Sequence, residues 1–185
     1  GLLYDKYLEH GGEVIFNNKI EDFKNNEITF KDKSFDAELI LGCDGINSSI
    51  RTKKFVSVPP LFSGFTAWRS IKELSSPFEK NNGEDINFYL GPNSHIVTYP
   101  IGENTYSATC IIKSSDWIEE SWVLEGTKDQ FQSDFKDWNS ELLTYLADSK
   151  LYKWGIFQRS PLESFSTDNM FLLGDSAHAL SLIHI

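Results

Sequence analysis

The sequence predicts an α/β domain that is interrupted by an α+β insert, a second domain built on a mostly antiparallel sheet. Two short apolar strands, residues 39–41 and 170–173, support the first part, because each is followed by a small residue and a carboxylate. Between them, after Pro59 and Pro60, the sequence changes to alternating segments rich in aromatic residues. Since the two outer parts resemble each other and the middle differs, we predict one discontinuous domain with another domain inserted.

The composition excludes several classes of function. The chain has 185 residues, with 17 Lys and Arg against 27 Asp and Glu, a formal net charge of −10. A nucleic-acid-binding protein would carry a basic face, and an anionic membrane would repel this chain. No segment reaches the ~20 apolar residues of a membrane span, and Cys43 and Cys110 follow no metal-site or disulfide spacing. We therefore expect a cytoplasmic protein without nucleic-acid, membrane or metal partners.

The elements expected in the outer parts are short. A helix over residues 2–10 should end at Gly11 and Gly12, which adopt a positive φ easily. Alternating residues predict strands at 13–16 and 27–30, and the apolar run at 39–41 predicts a strand that is buried on both faces. A polar start predicts a helical turn at 47–51.

The insert is expected to combine a sheet with helices. Aromatic-rich strands are predicted at 62–71, 86–90, 95–100, 105–112 and 151–157. Apolar residues at helical spacing predict helices at 117–124 and 128–138 and a further one around Leu142 and Leu146. The predicted boundaries are 1–56 and 159–179 for the discontinuous domain and 57–158 for the insert.

Two acidic loops carry the candidate chemistry of the outer domain. The first acidic loop, residues 42–45, contains Asp44, and the second acidic loop, residues 174–178, contains Asp175. Ligands of open α/β sheets bind beyond the carboxyl ends of the strands, where a carboxylate accepts hydrogen bonds from sugar or polyol hydroxyls. A helix beginning near Ser176 would direct its free N–H groups at a phosphate. Either loop alone is more often an ordinary turn, and Asp44 could equally be a helix N-cap.

At these loops the sequence resembles a known family. Residues 42–51 (GCDGINSSIR) resemble the Asp-Gly motif, and residues 170–179 (MFLLGDSAHA) the Gly-Asp motif, of the group A flavoprotein monooxygenases, the FAD-dependent aromatic hydroxylases with the p-hydroxybenzoate hydroxylase fold. Residues 62–70 (FSGFTAWRS) and 89–101 (YLGPNSHIVTYPI) are similar to the salicylate hydroxylase branch. The resemblance implies that the outer domain is a partial, Rossmann-like FAD-binding domain.

The resemblance also implies which residues serve the cofactor. Six residues of the two motifs would form the FAD site: Asp175, Gly174, Ala177, Asp44, Gly45 and Arg51. In the family, the carboxylate matched by Asp175 accepts a hydrogen bond from the ribityl chain, and the Asp-Gly motif serves both FAD and the reduced nicotinamide. From the residues alone, Arg51 either stabilises the loop or pairs with a local carboxylate.

The implied reaction is a hydroxylation. NADH or NADPH would reduce FAD, O₂ would add to give a flavin C4a-hydroperoxide, and this electrophile would hydroxylate a small, salicylate-like aromatic acid. The inserted sheet would hold the substrate, with Tyr99, Pro100 and Arg69 as candidate contacts, although Tyr99 and Pro100 could equally pack in the core. Because side chains alternate along a strand, only one of Trp68 and Arg69 can face the substrate. No nucleophile–base pair is apparent, so no catalytic residue is assigned.

Two alternative functions remain open on the sequence. The same cofactor frame could support an epoxidase or another oxygenase, and a non-catalytic nucleotide-binding module would use both acidic loops only as turns. Two departures from the family pattern matter: the chain has no G-x-G-x-x-G, and Leu182 stands where the family has Pro. We predict an internal fragment of a longer enzyme that alone binds FAD weakly, with residues 180–185 (LSLIHI) arising from a sequencing adapter. No oligomeric state is predicted.

Overall fold

The polypeptide leaves its first structural unit near Pro59 and returns to it at Arg159. The computed structural model describes residues 1–24, 26–31, 33–55, 58–73, 85–102, 105–115 and 124–179. Within these residues the first unit comprises Gly1–Pro59 and the segment from Arg159 onward, and the second unit comprises Pro60–Gln158. The predicted class, α/β with a mostly antiparallel inserted sheet, is confirmed.

The first unit combines helices with two small sheets. Its elements are α1 (Leu2–Glu9), β1 (Ile20–Lys24), β2 (Glu27–Phe30), β3 (Ser34–Asp36), β4 (Ile40–Gly42), α2 (Ser49–Lys54), β11 (Ser166–Thr167) and β12 (Met170–Leu172). Strands β1, β2 and β3 form an antiparallel sheet, whereas β12 lies between β11 and β4 and runs parallel to β4. The core of this unit consists of Phe23, Ile40, Ile50, Met170, Leu172 and Ala177. It therefore draws on both ends of the chain.

The predicted strand at residues 13–16 is wrong. This segment has no regular structure, and its apolar side chains are exposed. The strand forms instead at β1, where antiparallel pairing with β2 sets Phe23 opposite Ile28 and buries the Phe23 side chain. Alternation alone did not decide between the two segments, because a strand also needs a neighbour that covers its apolar face.

Only one face of the parallel pair is buried, which corrects the prediction that the strand at 39–41 is buried on both faces. Ile40 and Leu172 are 5% and 2% exposed, whereas Leu41 and Phe171, which point to the opposite face, are 53% and 39% exposed. An all-apolar run is typical of a parallel strand covered on both sides. Here the alternation of the pleat separates a buried row from an exposed one.

The second unit is a six-stranded antiparallel sheet with helices packed on one face. Its described elements are β5 (Leu61–Glu73), β6 (Asn87–Gly91), β7 (Ser94–Gly102), β8 (Thr105–Lys113), β9 (Glu125–Gly126), α3 (Lys128–Asp134), α4 (Ser140–Ala147) and β10 (Leu151–Gln158). The strand order is β6-β7-β8-β5-β10-β9. All five predicted strands are confirmed with ends shifted by at most two residues.

The helices of the second unit are partly as predicted. Helix α4 confirms the one expected around Leu142 and Leu146, and the Asn139 side chain caps it by accepting the N–H of Leu142 at 2.9 Å. Helix α3 ends at Asp134 rather than at residue 138, because the chain turns at residues 135–137. Of the helix predicted at 117–124, only Leu124 lies within the described residues, and it is not helical.

The helix-covered face of the sheet centres on Trp68, which is fully buried. The indole N–H of Trp68 donates to Asp134 Oδ2 at 2.9 Å, and Lys153 Nζ donates to the same oxygen at 2.8 Å. The Phe131 ring packs edge-on against the indole at a centroid distance of 5.4 Å. Gly126 lies directly against this ring, since a Cβ built there would be 2.2 Å from Trp68 Cζ3. The hydrogen bond and the packing leave the indole little freedom to move away.

We expect Gly126→Ala to lower the free energy of unfolding by about 2 kcal/mol, because the added methyl group overpacks a core whose central side chain is held in place. Urea denaturation followed by tryptophan fluorescence measures the change. Gly102→Ala is the matched control, because among the described residues its Cβ would come closest to Thr105, at 3.8 Å. Equal stability of the two variants would contradict the proposed close packing.

Candidate functional site

The two acidic loops meet at the carboxyl end of the parallel strands. Gly42, the last residue of β4, pairs with Leu172, the last residue of β12. The N–H of Leu173 donates to Gly42 O at 2.9 Å and extends the pairing by one residue. Asp44 and Asp175 follow within two and three residues of these strand ends. The structure therefore brings together the two candidate carboxylate loops at one edge of one sheet.

The Asp44 carboxylate lies at the start of helix α2, whose N-cap residue is Ser48. Its Oδ2 accepts the N–H of Ser49 at 2.7 Å and the N–H of Ile50 at 3.4 Å. Burial would raise the pKa of Asp44, but hydrogen bonds from the Ser48 hydroxyl and from these main-chain N–H groups outweigh it, so the pKa lies below its ordinary value. The alternative that Asp44 is the N-cap is therefore wrong, because Ser48 holds that position. The Asp44 carboxylate is an additional acceptor for the first N–H groups of α2, while the residue as a whole stays exposed.

Asp175 presents an exposed carboxylate that forms no hydrogen bond or ion pair with any residue in the described ranges. Gly174 beside it has a φ of 61°, and Gly45 in the first acidic loop has a φ of 74°. Both glycines therefore lie in the left-handed region that disfavours other residues. A Cβ at either position would meet no described residue within 4 Å, so in this part of the structure the space beside the backbone is open to a ligand.

Arg51 is 1% exposed, and its guanidinium group points into the protein. Nη1 donates to the carbonyl oxygens of Ser176 at 3.1 Å and Ala177 at 2.5 Å, and Nη2 donates to Ser160 O. Burial, and then the nearby charge of Arg159, lower the pKa of Arg51. Of the two sequence interpretations, the structure supports the one in which Arg51 stabilises a loop, and the loop it holds is the second acidic loop.

In the second acidic loop, Ala177 is buried and Ser176 lies in a short helical turn. Ala177 is 5% exposed and packs in the core of the first unit, so its methyl group faces away from solvent. The helix predicted to begin near Ser176 is, within the described residues, a single 3₁₀ turn over Gly174–Ser176. The prediction that N–H groups at this point are directed at a phosphate stays a prediction, because the described residues end at Ala179.

Ser176 is a residue of this loop to which the sequence assigned no contact. It is fully buried, and its hydroxyl lies 2.5 Å from Gly42 O and 2.6 Å from Leu173 O. It also accepts the N–H of Leu173 at 3.2 Å. In the sequence, Ser176 stands out only as a hydroxyl residue between an exposed acid and a core alanine. Its contact with Gly42 could not be predicted, because Gly42 lies far away in the sequence.

In the second unit, Arg69 and Trp68 lie on opposite faces of the sheet. Trp68 points into the helix-covered core, so Arg69 points to the other face, where it is exposed. Its cross-strand neighbours there are Thr109 on β8 and Tyr152 on β10. The guanidinium group forms no hydrogen bond or ion pair with the residues that the structure describes. Arg69 is therefore the member of the pair that is able to meet a ligand.

Tyr99 and Pro100 are also separated by the alternation. Tyr99 pairs with Ser107, and Ser107 with Ile71, which places Tyr99 on the same face as Arg69. Pro100 points to the opposite face and precedes an irregularity in the pairing of β7 with β8. His95 shares the face of Arg69 and Tyr99, because it lies an even number of residues before Tyr99 along β7.

The residues of the first unit fit the cofactor that the resemblance implies. A dinucleotide needs acceptors for its hydroxyl groups and backbone that it can approach closely. The exposed Asp175 carboxylate supplies the first, and the open positions at Gly45 and Gly174 supply the second. Within the described residues, no group of His, Cys, Asp or Glu side chains could hold a metal ion, and no helix is long and apolar enough to cross a membrane.

Comparison with known proteins decides the family. A family model described as an FAD binding domain matches residues 2–183. The chain belongs to this FAD-binding domain family. The 3-amino-4-hydroxybenzoate 2-monooxygenase PtmB3 of Streptomyces platensis is 32% identical over 152 residues, which are 80% of this chain and 37% of that protein. Salicylate hydroxylase asL1 of Sarocladium schorii is 25% identical over an alignment of 214 positions, which covers 100% of this chain and 44% of that protein.

Solved structures share the fold. A salicylate hydroxylase substrate complex superposes with a TM-score of 0.80 at 21% identity, over 97% of this chain and 51% of that one. CtdE in complex with FAD gives a TM-score of 0.76 at 18% identity, over 96% and 52% of the two chains. The chain thus spans about half the length of these structures and less than half of the curated relatives.

We expect Asp44→Ala to lower the free energy of unfolding by about 1 kcal/mol at neutral pH, because the first N–H groups of helix α2 lose a charged acceptor although Ser48 still caps the helix. Since the folded-state pKa is lowered, this stabilisation is present above the unfolded-state pKa of about 4 and is lost as the pH falls through the folded-state value. Urea denaturation of wild type and variant between about pH 3 and 7 should therefore show a difference that shrinks toward acid.

Asp175→Ala is the matched control for this experiment, because its carboxylate bonds to no described residue. We expect it to change the free energy of unfolding little at any of these pH values. A difference between wild type and Asp44→Ala that stays constant down to the acid end would contradict this role of the ionised Asp44 carboxylate.

Proposed function

We propose that this chain is part of an FAD-dependent monooxygenase that hydroxylates a small, salicylate-like aromatic acid with NADH or NADPH and O₂ in the cytoplasm. The observation that carries the proposal is the pairing of β4 with β12, which joins the two acidic loops in a chain of the FAD-binding family. The names of its relatives add support, since they include monooxygenases and hydroxylases of hydroxybenzoates. The open glycines and the free carboxylate at this sheet edge suit a dinucleotide better than a pair of structural turns.

Within this proposal the six motif residues divide into two roles. Asp175 accepts hydrogen bonds from the ribityl hydroxyls of FAD, and Gly174 and Gly45 let the cofactor approach the backbone. Asp44, Arg51 and Ala177 act indirectly: the carboxylate accepts the first N–H groups of α2, the guanidinium group holds the second acidic loop, and the methyl group anchors that loop in the core. When bound, FAD supplies the redox chemistry with O₂.

The second unit is proposed to hold the aromatic acid on the face that carries Arg69. An exposed guanidinium group without a partner among the described residues suits a carboxylate, which it binds through two parallel hydrogen bonds. Tyr99, on the same face, is proposed to contact the aromatic ring. Pro100 points to the other face, so its proposed contribution is to shape the end of β7 beside the pairing irregularity.

The experiment that tests the proposed function uses the complete parent protein. We expect it to purify with bound FAD and to consume NADH or NADPH faster when salicylate-like acids are added, with a hydroxylated product and one O₂ consumed per product. Product analysis by mass spectrometry separates hydroxylation from epoxidation or uncoupled oxidation. A complete protein that neither binds FAD nor oxidises NAD(P)H would leave the binding-module alternative.

In the complete protein, Arg69→Gln should raise KM for a carboxylate-bearing substrate roughly 10- to 100-fold, the loss expected for a charge-assisted hydrogen-bonded pair. Affinity for FAD should stay unchanged. Lys113→Gln is the matched control, because Lys113 is an exposed cation whose pairing with Phe65 puts it on the same face. An equal effect of both variants would point to general electrostatic attraction and contradict a specific contact.

The 185-residue chain alone should bind FAD at least ~100-fold more weakly than the complete protein, because it lacks a phosphate-binding G-x-G-x-x-G loop. Quenching of flavin fluorescence on titration measures both affinities. Circular dichroism of the isolated chain confirms that the polypeptide under test is folded. Equal affinities would show that the two acidic loops suffice for the cofactor.

A further inference from the structure

The junction of the two strand ends contains one side chain that contacts both of them. The Ser176 hydroxyl lies within hydrogen-bonding distance of Gly42 O at the end of β4 and of Leu173 O beyond the end of β12. The hydroxyl has one proton to donate, so the two carbonyl oxygens share it in turn, while the N–H of Leu173 donates to its lone pair. Each acidic loop starts at one of these two contacts.

The main chain of Ser176 takes part in the same arrangement. Its carbonyl oxygen accepts Arg51 Nη1 at 3.1 Å, and Arg51 lies on helix α2, whose first N–H groups bond to Asp44. The hydrogen bonds therefore form a closed circuit: from Asp44 through α2 and Arg51 to Ser176, and from the Ser176 hydroxyl back to Gly42, two residues before Asp44. Ser176 belongs to this circuit through both its side chain and its backbone.

The surroundings leave no easy substitute for this hydroxyl. Ser176 is fully buried, and a Cβ at Gly42 would lie 3.0 Å from side-chain atoms of both Ile50 and Leu172. Without the hydroxyl, Gly42 O loses this donor and the N–H of Leu173 loses this acceptor. Asp175, the adjacent residue, is by contrast exposed and unbonded among the described residues. Ser176 thus faces the protein while its neighbour faces solvent.

We propose that Ser176 is a positioning residue for cofactor binding: its buried hydroxyl joins the ends of β4 and β12 and so fixes the Asp175 loop relative to the Asp44 loop. The proposal rests on the proposed function, in which Asp175 accepts hydrogen bonds from FAD. Ser176 itself touches no ligand and acts through Asp175. Asp175 and Ser176 are consecutive residues, with Cα atoms about 3.8 Å apart. Any displacement of the buried Ser176 therefore moves the exposed Asp175 carboxylate.

The test is a double-mutant cycle in the complete parent protein, with the dissociation constant of FAD as the readout. Ser176→Ala should raise this constant about tenfold, the equivalent of one buried hydrogen bond. If the hydroxyl acts through Asp175, the same substitution in an Asp175→Asn background should raise it less than about threefold. A full tenfold effect in both backgrounds, or no effect in either, would overturn the proposal.

A second readout does not depend on FAD and covers the case in which Ser176→Ala weakens the fold. In the apoprotein, hydrogen exchange of the amides in both acidic loops should accelerate in Ser176→Ala, while those of the second unit keep their wild-type rates. Ser176→Cys, which keeps a donor at this position but a weaker one on a larger atom, should give intermediate rates. Acceleration in one loop only, or throughout the protein, would contradict the joining role.

Ser164→Ala is the matched control, because that hydroxyl donates to Ser166 O at 2.8 Å in the same unit but at an exposed position. It should change neither FAD affinity nor exchange in the acidic loops. The two proposals fail separately. A wild-type protein that does not bind FAD defeats the proposed function, whereas a binding wild type with an unaffected Ser176→Ala variant defeats only the positioning role.

Discussion

The parallel pairing of β4 with β12 is the constraint on which the first unit depends. Each strand has three residues, and the two strands come from the two chain segments that flank the second unit. Strands this short are not stable by themselves, and closing so long a loop costs conformational entropy. The pairing is stabilised from two sides: apolar side chains such as Ile40 and Leu172 pack beneath it, and Gly42 O accepts two donors at its end.

The polar groups around this junction divide according to burial. The Ser176 hydroxyl and the Arg51 Nη atoms are buried and bond to main-chain carbonyl oxygens, whereas the buried Arg51 Nε has no partner within the described residues. A buried polar group without a partner costs about 1–3 kcal/mol, so these bonds strongly favour one arrangement of the loops. The exposed Asp175 carboxylate pays no such cost in water. The second acidic loop is therefore held in place, while its Asp175 carboxylate bonds to no described residue. Binding of a ligand there would cost little further conformational entropy for ordering the loop.

How far the sequence predicts this structure differs between the two units. The strands of the second unit follow from alternation, because each lies beside a long neighbour with a matching apolar row. In the first unit the same rule selected residues 13–16 instead of β1, and it missed the exposure of Leu41, because short segments carry little periodicity and their burial depends on distant partners. The two aspartate loops were predictable from their motifs. The bonds of Arg51 and Ser176 were not, since their acceptors are distant in sequence.

The neighbours Trp68 and Arg69 show how one tertiary contact resolves an ambiguity that alternation leaves open. The pleat requires the two side chains to face opposite ways but does not choose between them. The choice is made by α3, because Asp134 accepts the indole N–H and Phe131 packs on the ring, which buries Trp68 completely. Arg69 is then exposed on the other face, where hydration keeps an unpaired cation inexpensive. A carboxylate ligand would therefore displace water from Arg69 rather than compete with an existing ion pair in the described part of the chain.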